Sequence, residues 1–250
     1  MKLMGKIFIE GKIKTLTGLS IGGSKTDTVI GGIDKSVIKT SEGVPFIPGS
    51  SIKGKMRSLL EISERGDLCD CGECDICAIF GVGANKRKKN LGPTRLIVRD
   101  AHLSEETKEQ MENKIGIFKN LELIYTEGKW ENVIDRKTSA ASNPRQTERV
   151  PAGAKFDFNI VFNVFEQVDI DRFYQLLSAM IMLEDDYIGG SGSRGYGRIK
   201  FIDFDIKVKA IADYRGDNLP FILSENISNL SELVKDMEIK DNMIKHLGVE

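Results

Sequence analysis

From Lys6 to Thr15 apolar residues are interleaved with polar ones (KIFIEGKIKT), the pattern of a half-buried strand. Beyond Pro45 and Pro48 the period changes. In SSIKGKMRSLLEISE the apolar residues Ile52, Met56, Leu59, Leu60 and Ile62 recur at helical spacing, and Ser50 or Ser51 is placed to cap the first turn. Thr94 to Leu103 (TRLIVRDAHL) predicts a second strand, SEETKEQMENK a polar helix, and KFDFNIVFNVF a third strand. The run DRFYQLLSAMIMLE predicts a second amphipathic helix capped by Asp169 or Asp171, and GRIKFIDFDIKVKA a final strand.

The resulting order, strand, helix, strand, strand, helix, strand, predicts an α+β fold: a ferredoxin-like, RRM-like βαββαβ core. One domain over residues 1–250 is expected, with insertions at about 66–92 and 104–153. Within the second insertion, Thr126 to Gly153 turns polar and irregular and reads as a long hairpin arm. Residues 212–250 read as an acidic, partly helical appendage. Gly18, Gly22, Gly23, Gly31 and Gly32 mark a connection too long for an ordinary turn, the kind of loop that carries function.

Charge changes this picture locally. Lys plus Arg is 36 against 37 Asp plus Glu, so nothing global announces a polyanion partner. Yet Ala84 to Arg99 holds six bases and no acid, Lys53, Lys55 and Arg57 form a second basic group, and the tail from Ala212 carries eight acids against four bases. Two basic groups favour a track for a nucleic-acid backbone over a merely solvated loop. No apolar run approaches a membrane span, and the start is broken by Gly5, Lys6 and Glu10, so a soluble, cytoplasmic protein with no membrane partner is expected.

All four cysteines, Cys69, Cys71, Cys74 and Cys77, fall in CDCGECDIC. Disulfides between such near neighbours would be strained, whereas two overlapping C-x-x-C steps suit tetrahedral thiolate coordination. Structural zinc is the leading reading, with an iron–sulfur centre and free thiols as alternatives. Four thiolates leave no open position, so such an ion would staple a loop and not catalyse.

GSSIKGK matches the first part of a phosphate-binding loop, but Met56 stands where a hydroxyl should hold magnesium, and Pro48 stands where a buried strand should end. Gly190 to Gly195 fits a dinucleotide fingerprint as a string, yet it follows a helix and precedes a strand, the reverse of what that site requires. What remains is a glycine-rich loop that lets backbones approach closely, with Arg194 and Arg198 for charge and Tyr196 for stacking. With His102 and His246 the only histidines, triad chemistry has no base. Asp34 lies in the glycine-rich loop next to Lys35, where a carboxylate can reach a ligand or simply shape a turn.

Together TLTGLSIGG (15–23), GGIDKSVIK (31–39), PFIPGSSIKGKMRSLLE (45–61), CAIFG (77–81) and GGSGSRGYGRIKF (189–201) resemble, in the right order, the backbone subunits of type III-A CRISPR-Cas interference complexes, members of the RAMP superfamily. The resemblance implies several copies polymerising along a CRISPR RNA with other Csm subunits and cutting complementary target RNA at regular intervals. It implies that Lys53, Lys55, Arg57 and the loop containing Gly190, Gly192, Arg194, Gly195 and Tyr196 contact RNA. The arm would be a thumb that wedges between bases, and Asp34 the catalytic aspartate, working with a divalent cation such as magnesium. The cysteine region resembles the family's zinc site. Ser20 departs from the pattern, since relatives often carry histidine there.

Overall fold

The computed structural model describes residues 1–23, 35–88, 90–216 and 218–249, and for residues 142 and 143 the backbone only. In chain order the elements are β1 (Gly5–Thr15), β2 (Phe46–Ile47), α1 (Gly49–Arg65), α2 (Asp75–Phe80), β3 (Leu96–Val98), β4 (Ala101–Leu103) and α3 (Glu105–Glu112). Then follow β5 (Glu127–Ile134), β6 (Ala141–Arg149), β7 (Lys155–Val164), α4 (Val168–Asp185), β8 (Ile199–Ala210), α5 (Ile211–Arg215), β9 (Phe221–Ile227), α6 (Leu230–Lys235) and α7 (Met237–Leu247).

Among the described residues the main sheet has seven strands in the order β2-β4-β7-β1-β8-β9, with β3 also pairing β7, and every pairing is antiparallel. Taking β3 and β4 as one interrupted strand, the core is the expected ferredoxin-like βαββαβ arrangement with β1 at its centre. Alternation decides the faces: Ile7, Ile9 and Ile13 are fully buried, while Lys6, Glu10 and Lys12 are partly exposed on the opposite side. The buried face meets α1 through Ile52, Met56 and Leu60, and α4 through Phe173, Leu176, Leu177 and Met180, in one continuous core. The arm is a separate two-stranded sheet of β5 and β6.

Several local expectations are corrected. Neither Ser50 nor Ser51 caps α1: the cap position is Pro48, and the first N–H, that of Gly49, donates to the Asp100 carboxylate at 2.8 Å from the bend between β3 and β4. Neither Asp169 nor Asp171 caps α4, which begins after Gln167. Asp169 lies within the first turn, fully buried, and its Oδ2 accepts from the N–H groups of Phe165 and Glu166 at 2.9 and 3.2 Å. Thr94 to Leu103 is two short strands rather than one. Beyond Tyr214 the chain is no mere appendage, since β9 extends the sheet and Leu230, Leu233, Met243 and Leu247 join the core. Ser104 does cap α3, accepting from the Thr107 N–H. No helix among the described residues is long and apolar enough to cross a membrane.

Candidate nucleic-acid interface and metal centre

Two irregular loops flank α1, and each owes its shape to a different property of the sequence. The cysteine loop runs from the helix end at Gly66 into α2. Cys74 caps α2, its sulfur accepting from the Cys77 N–H at 3.4 Å, so the last two cysteines sit on one helical turn. All four sulfurs lie within 4.8 Å of one another, with Cys69–Cys74 at 3.6 Å and Cys71–Cys77 at 4.0 Å. A tetrahedral ion with metal–sulfur bonds of about 2.3 Å would hold sulfurs about 3.8 Å apart, so this spacing suits a metal. The Glu73 N–H pulls the Cys71 thiol below its ordinary range, while burial pushes the thiols of Cys74 and Cys77 up. No disulfide links them.

On the other side, the loop between α4 and β8 depends on missing side chains. A Cβ at Gly192 would lie 2.0 Å from the Tyr187 ring, and one at Gly197, where φ is +76°, would lie 2.1 Å from the Ile188 carbonyl oxygen. The Gly190 N–H donates to the Ser20 carbonyl at 2.8 Å, joining this loop to the segment after β1. Gly195 and Arg194 are exposed, Arg194 donating to the Ser191 hydroxyl at 3.1 Å, and Arg198 is exposed as well.

The basic residues of α1 divide between these loops. Lys55 reaches the glycine-rich side, pairing with Asp186 at 2.8 Å and lying 3.9 Å from the centre of the Tyr187 ring. Arg57 reaches the cysteine side, donating to the Gly81 carbonyl at 2.6 Å, to the Cys69 carbonyl and to Glu61 at 2.8 Å. Lys53 turns inward to the Leu96 carbonyl at 2.8 Å, and burial, then the nearby Arg57 charge, lowers its pKa. All three of these cations thus have internal partners.

Tyr196 is enclosed as well. It is 1% exposed, and its ring lies between Lys129 at 4.5 Å and Arg149 at 5.2 Å, both on the arm. Burial pushes its hydroxyl up to about 12. The ring offers no free stacking face; it joins the glycine-rich loop to the base of the arm. Asp34 lies outside the described residues.

Two features escaped the sequence reading. Glu148 on β6, 2% exposed, accepts from the Val37 N–H at 3.0 Å, Lys39 Nζ at 2.6 Å and Thr126 Oγ1 at 2.6 Å, fastening the segment that follows Asp34 in sequence to the arm. Arg95, fully buried, pairs with Asp169 at 2.9 Å and Glu166 at 3.0 Å, and Arg172 extends the network to Asp75 at the start of α2 at 2.7 Å. Their partners are far away in sequence, so no local pattern could have announced them. The arm itself is open: Trp130, Val133 and Ile134 are 67%, 50% and 55% exposed.

The family description "RAMP superfamily" matches residues 12–200. The chain belongs to the RAMP superfamily. This RAMP chain is 43% identical over 249 residues to the "CRISPR system Cms endoribonuclease Csm3" of Methanocaldococcus jannaschii, with 95% of each chain covered. It is 41% identical over 233 residues to the protein of the same name from Methanothermobacter thermautotrophicus, covering 87% of this chain and 92% of that one. Its fold matches a chain of the "Csm3-Csm4 subcomplex in the type III-A CRISPR-Cas interference complex" with a TM-score of 0.65 at 34% identity, covering 96% of this RAMP chain and 98% of the other. A chain of the "Type III-B Cmr-beta bound to cognate target RNA" shares the fold with a TM-score of 0.55 at 18% identity.

Proposed function

We propose that this chain is the repeated backbone subunit of a type III-A CRISPR-Cas interference complex, an endoribonuclease that binds CRISPR RNA and cuts complementary target RNA at regular intervals. The observation that carries this reading is the 43% identity to a Csm3 endoribonuclease along 95% of both chains. The fold adds the means. α1 and the glycine-rich loop form one face on which exposed Arg194 and Arg198 supply charge, and exposed Gly190 and Gly195, having no side chains, let a phosphate backbone approach closely. Lys55, tied to Asp186 and Tyr187, holds the two halves of that face together. The exposed apolar residues of the arm, Trp130 foremost, wedge between bases of the guide–target duplex and displace a target nucleotide.

Beside each displaced nucleotide the ribose 2′-oxygen attacks the adjacent phosphorus, losing its proton as the bond to the 5′-oxygen breaks. The products are a 2′,3′-cyclic phosphate and a 5′-hydroxyl end. Asp34 orients the attacking hydroxyl or holds a divalent cation. A divalent cation such as magnesium, held by Asp34, would supply neutralisation of the developing phosphate charge. One carboxylate is modest machinery, so in-line geometry imposed by arm and loop provides much of the acceleration. Further copies of the chain and other Csm subunits complete the assembly around the guide. The four cysteines hold a structural zinc ion. Elemental analysis of protein purified without chelator is expected to give one zinc per chain; iron or no metal would refute it.

The deciding experiment compares native and Asp34→Ala assemblies, guide-loaded and in magnesium, on labelled target RNA at matched target binding. A regularly spaced product ladder that vanishes in the variant supports the reading. An unchanged ladder moves catalysis to another group, and no ladder from either assembly leaves the chain a non-catalytic RNA-binding scaffold.

A further inference from the structure

Arg57 and Glu61 lie one turn apart on α1 and close on both ends of the segment that carries the cysteines. Glu61, 3% exposed, accepts the Cys69 N–H at 3.2 Å on Oε1, the same oxygen that accepts from Arg57 Nε at 2.8 Å. Arg57 returns the contact by donating to the Cys69 carbonyl through Nη2, and through Nη1 it holds the Gly81 carbonyl at 2.6 Å. One ion pair thus grips the first cysteine by both its backbone groups, and the residue that ends α2, four positions after Cys77, by its carbonyl. Only a guanidinium has the planar fork to serve two carbonyls and a carboxylate at once. Lys55, two residues earlier and therefore about 200° around the helix, serves the opposite loop.

We propose that Arg57 and Glu61 are positioning residues of the metal loop, holding Cys69 and the end of α2 where a tetrahedral ion needs them, and that Arg57 does not contact RNA. The inference rests on the metal-binding reading of the four cysteines. Outer partners that orient metal ligands are typically worth about ten- to a hundredfold in metal affinity, so a partner that holds a ligand through its backbone should have a measurable effect.

The test uses the zinc-loaded full-length chain and two readouts: zinc release to a chromogenic chelator, and affinity for a labelled single-stranded RNA across a salt series. Arg57→Gln should release zinc at least tenfold faster and Glu61→Gln several-fold faster, while both keep the native slope of log affinity against log salt. Removing a true phosphate ligand would instead lower that slope by about one. Native zinc release from Arg57→Gln with a reduced slope overturns the proposal and returns Arg57 to the RNA. Should Arg57→Gln fail to fold, native release from Glu61→Gln overturns it equally. A native chain that carries no metal would sink the metal reading itself, an outcome distinct from a metal-loaded variant that releases zinc at the native rate.

Discussion

The two loops beside α1 achieve fixed shapes by opposite means. The cysteine loop is held by what its side chains and neighbours add: four sulfurs within 4.8 Å, and the Arg57–Glu61 pair on the backbone of Cys69. The glycine-rich loop is held by what is missing, since Gly192 and Gly197 admit the Tyr187 ring and the Ile188 carbonyl into space a Cβ would fill. A loop built by addition should fail when a partner is withdrawn; one built by omission should fail when an atom is supplied.

The largest effect should come from withdrawing the metal. Cys77→Ser is expected to abolish metal retention and to lower stability by about 3–5 kcal/mol, read as a shifted urea midpoint together with zinc content. A variant with native zinc and native stability would remove the basis of the contrast. Next, Gly197→Ala should cost about 2 kcal/mol, because it places a Cβ against a carbonyl oxygen at a positive φ, and the same denaturation measurement decides it. Gly192→Ala should cost about 1 kcal/mol, less because its φ lies outside the left-handed region and only the Tyr187 ring must shift. Combined with Tyr187→Ala, that cost should largely disappear, and an additive double mutant would show that the ring is not the obstacle. The smallest change in stability is expected from Arg194→Ala, within about 0.5 kcal/mol, although the salt slope of RNA binding should fall by about one.

How well the sequence foretold each part follows from how local its cause is. Helix α1 is legible because Ile52, Met56 and Leu60 repeat on one face, and the first strand because Ile7, Ile9 and Ile13 fall on odd positions with Lys6, Glu10, Lys12 and Lys14 on even ones. The cysteines were legible as a group because their spacing is itself the constraint. Caps were misplaced where the partner is remote: the Gly49 N–H is satisfied by Asp100 rather than by a neighbouring serine. Thr94 to Leu103 read as one strand because its apolar pattern hides the bend that delivers that carboxylate. Lys53, Arg57 and Tyr196 were read by residue type, and type does not reveal whether a cation already has carbonyls to serve or a ring already has cations around it. The elements after Tyr214 escaped because short apolar clusters separated by charges carry no clear period, although β9 pairs with β8 and packs Leu223 and Ile227 against the core, and α7 buries Ile239, Met243 and Leu247 there.

The place of β1 has a consequence for synthesis. Among the described residues it is the earliest strand in sequence, yet its neighbours on both sides, Lys155–Val164 and Ile199–Ala210, come from the second half of the chain. The nearer of them follows about 150 residues later, which at about 5–20 residues per second leaves the nascent strand waiting roughly 8–30 s on the ribosome. During that interval Ile7, Ile9 and Ile13 have neither neighbouring strand to pair with, so the segment stays open to wrong partners until translation delivers the right ones.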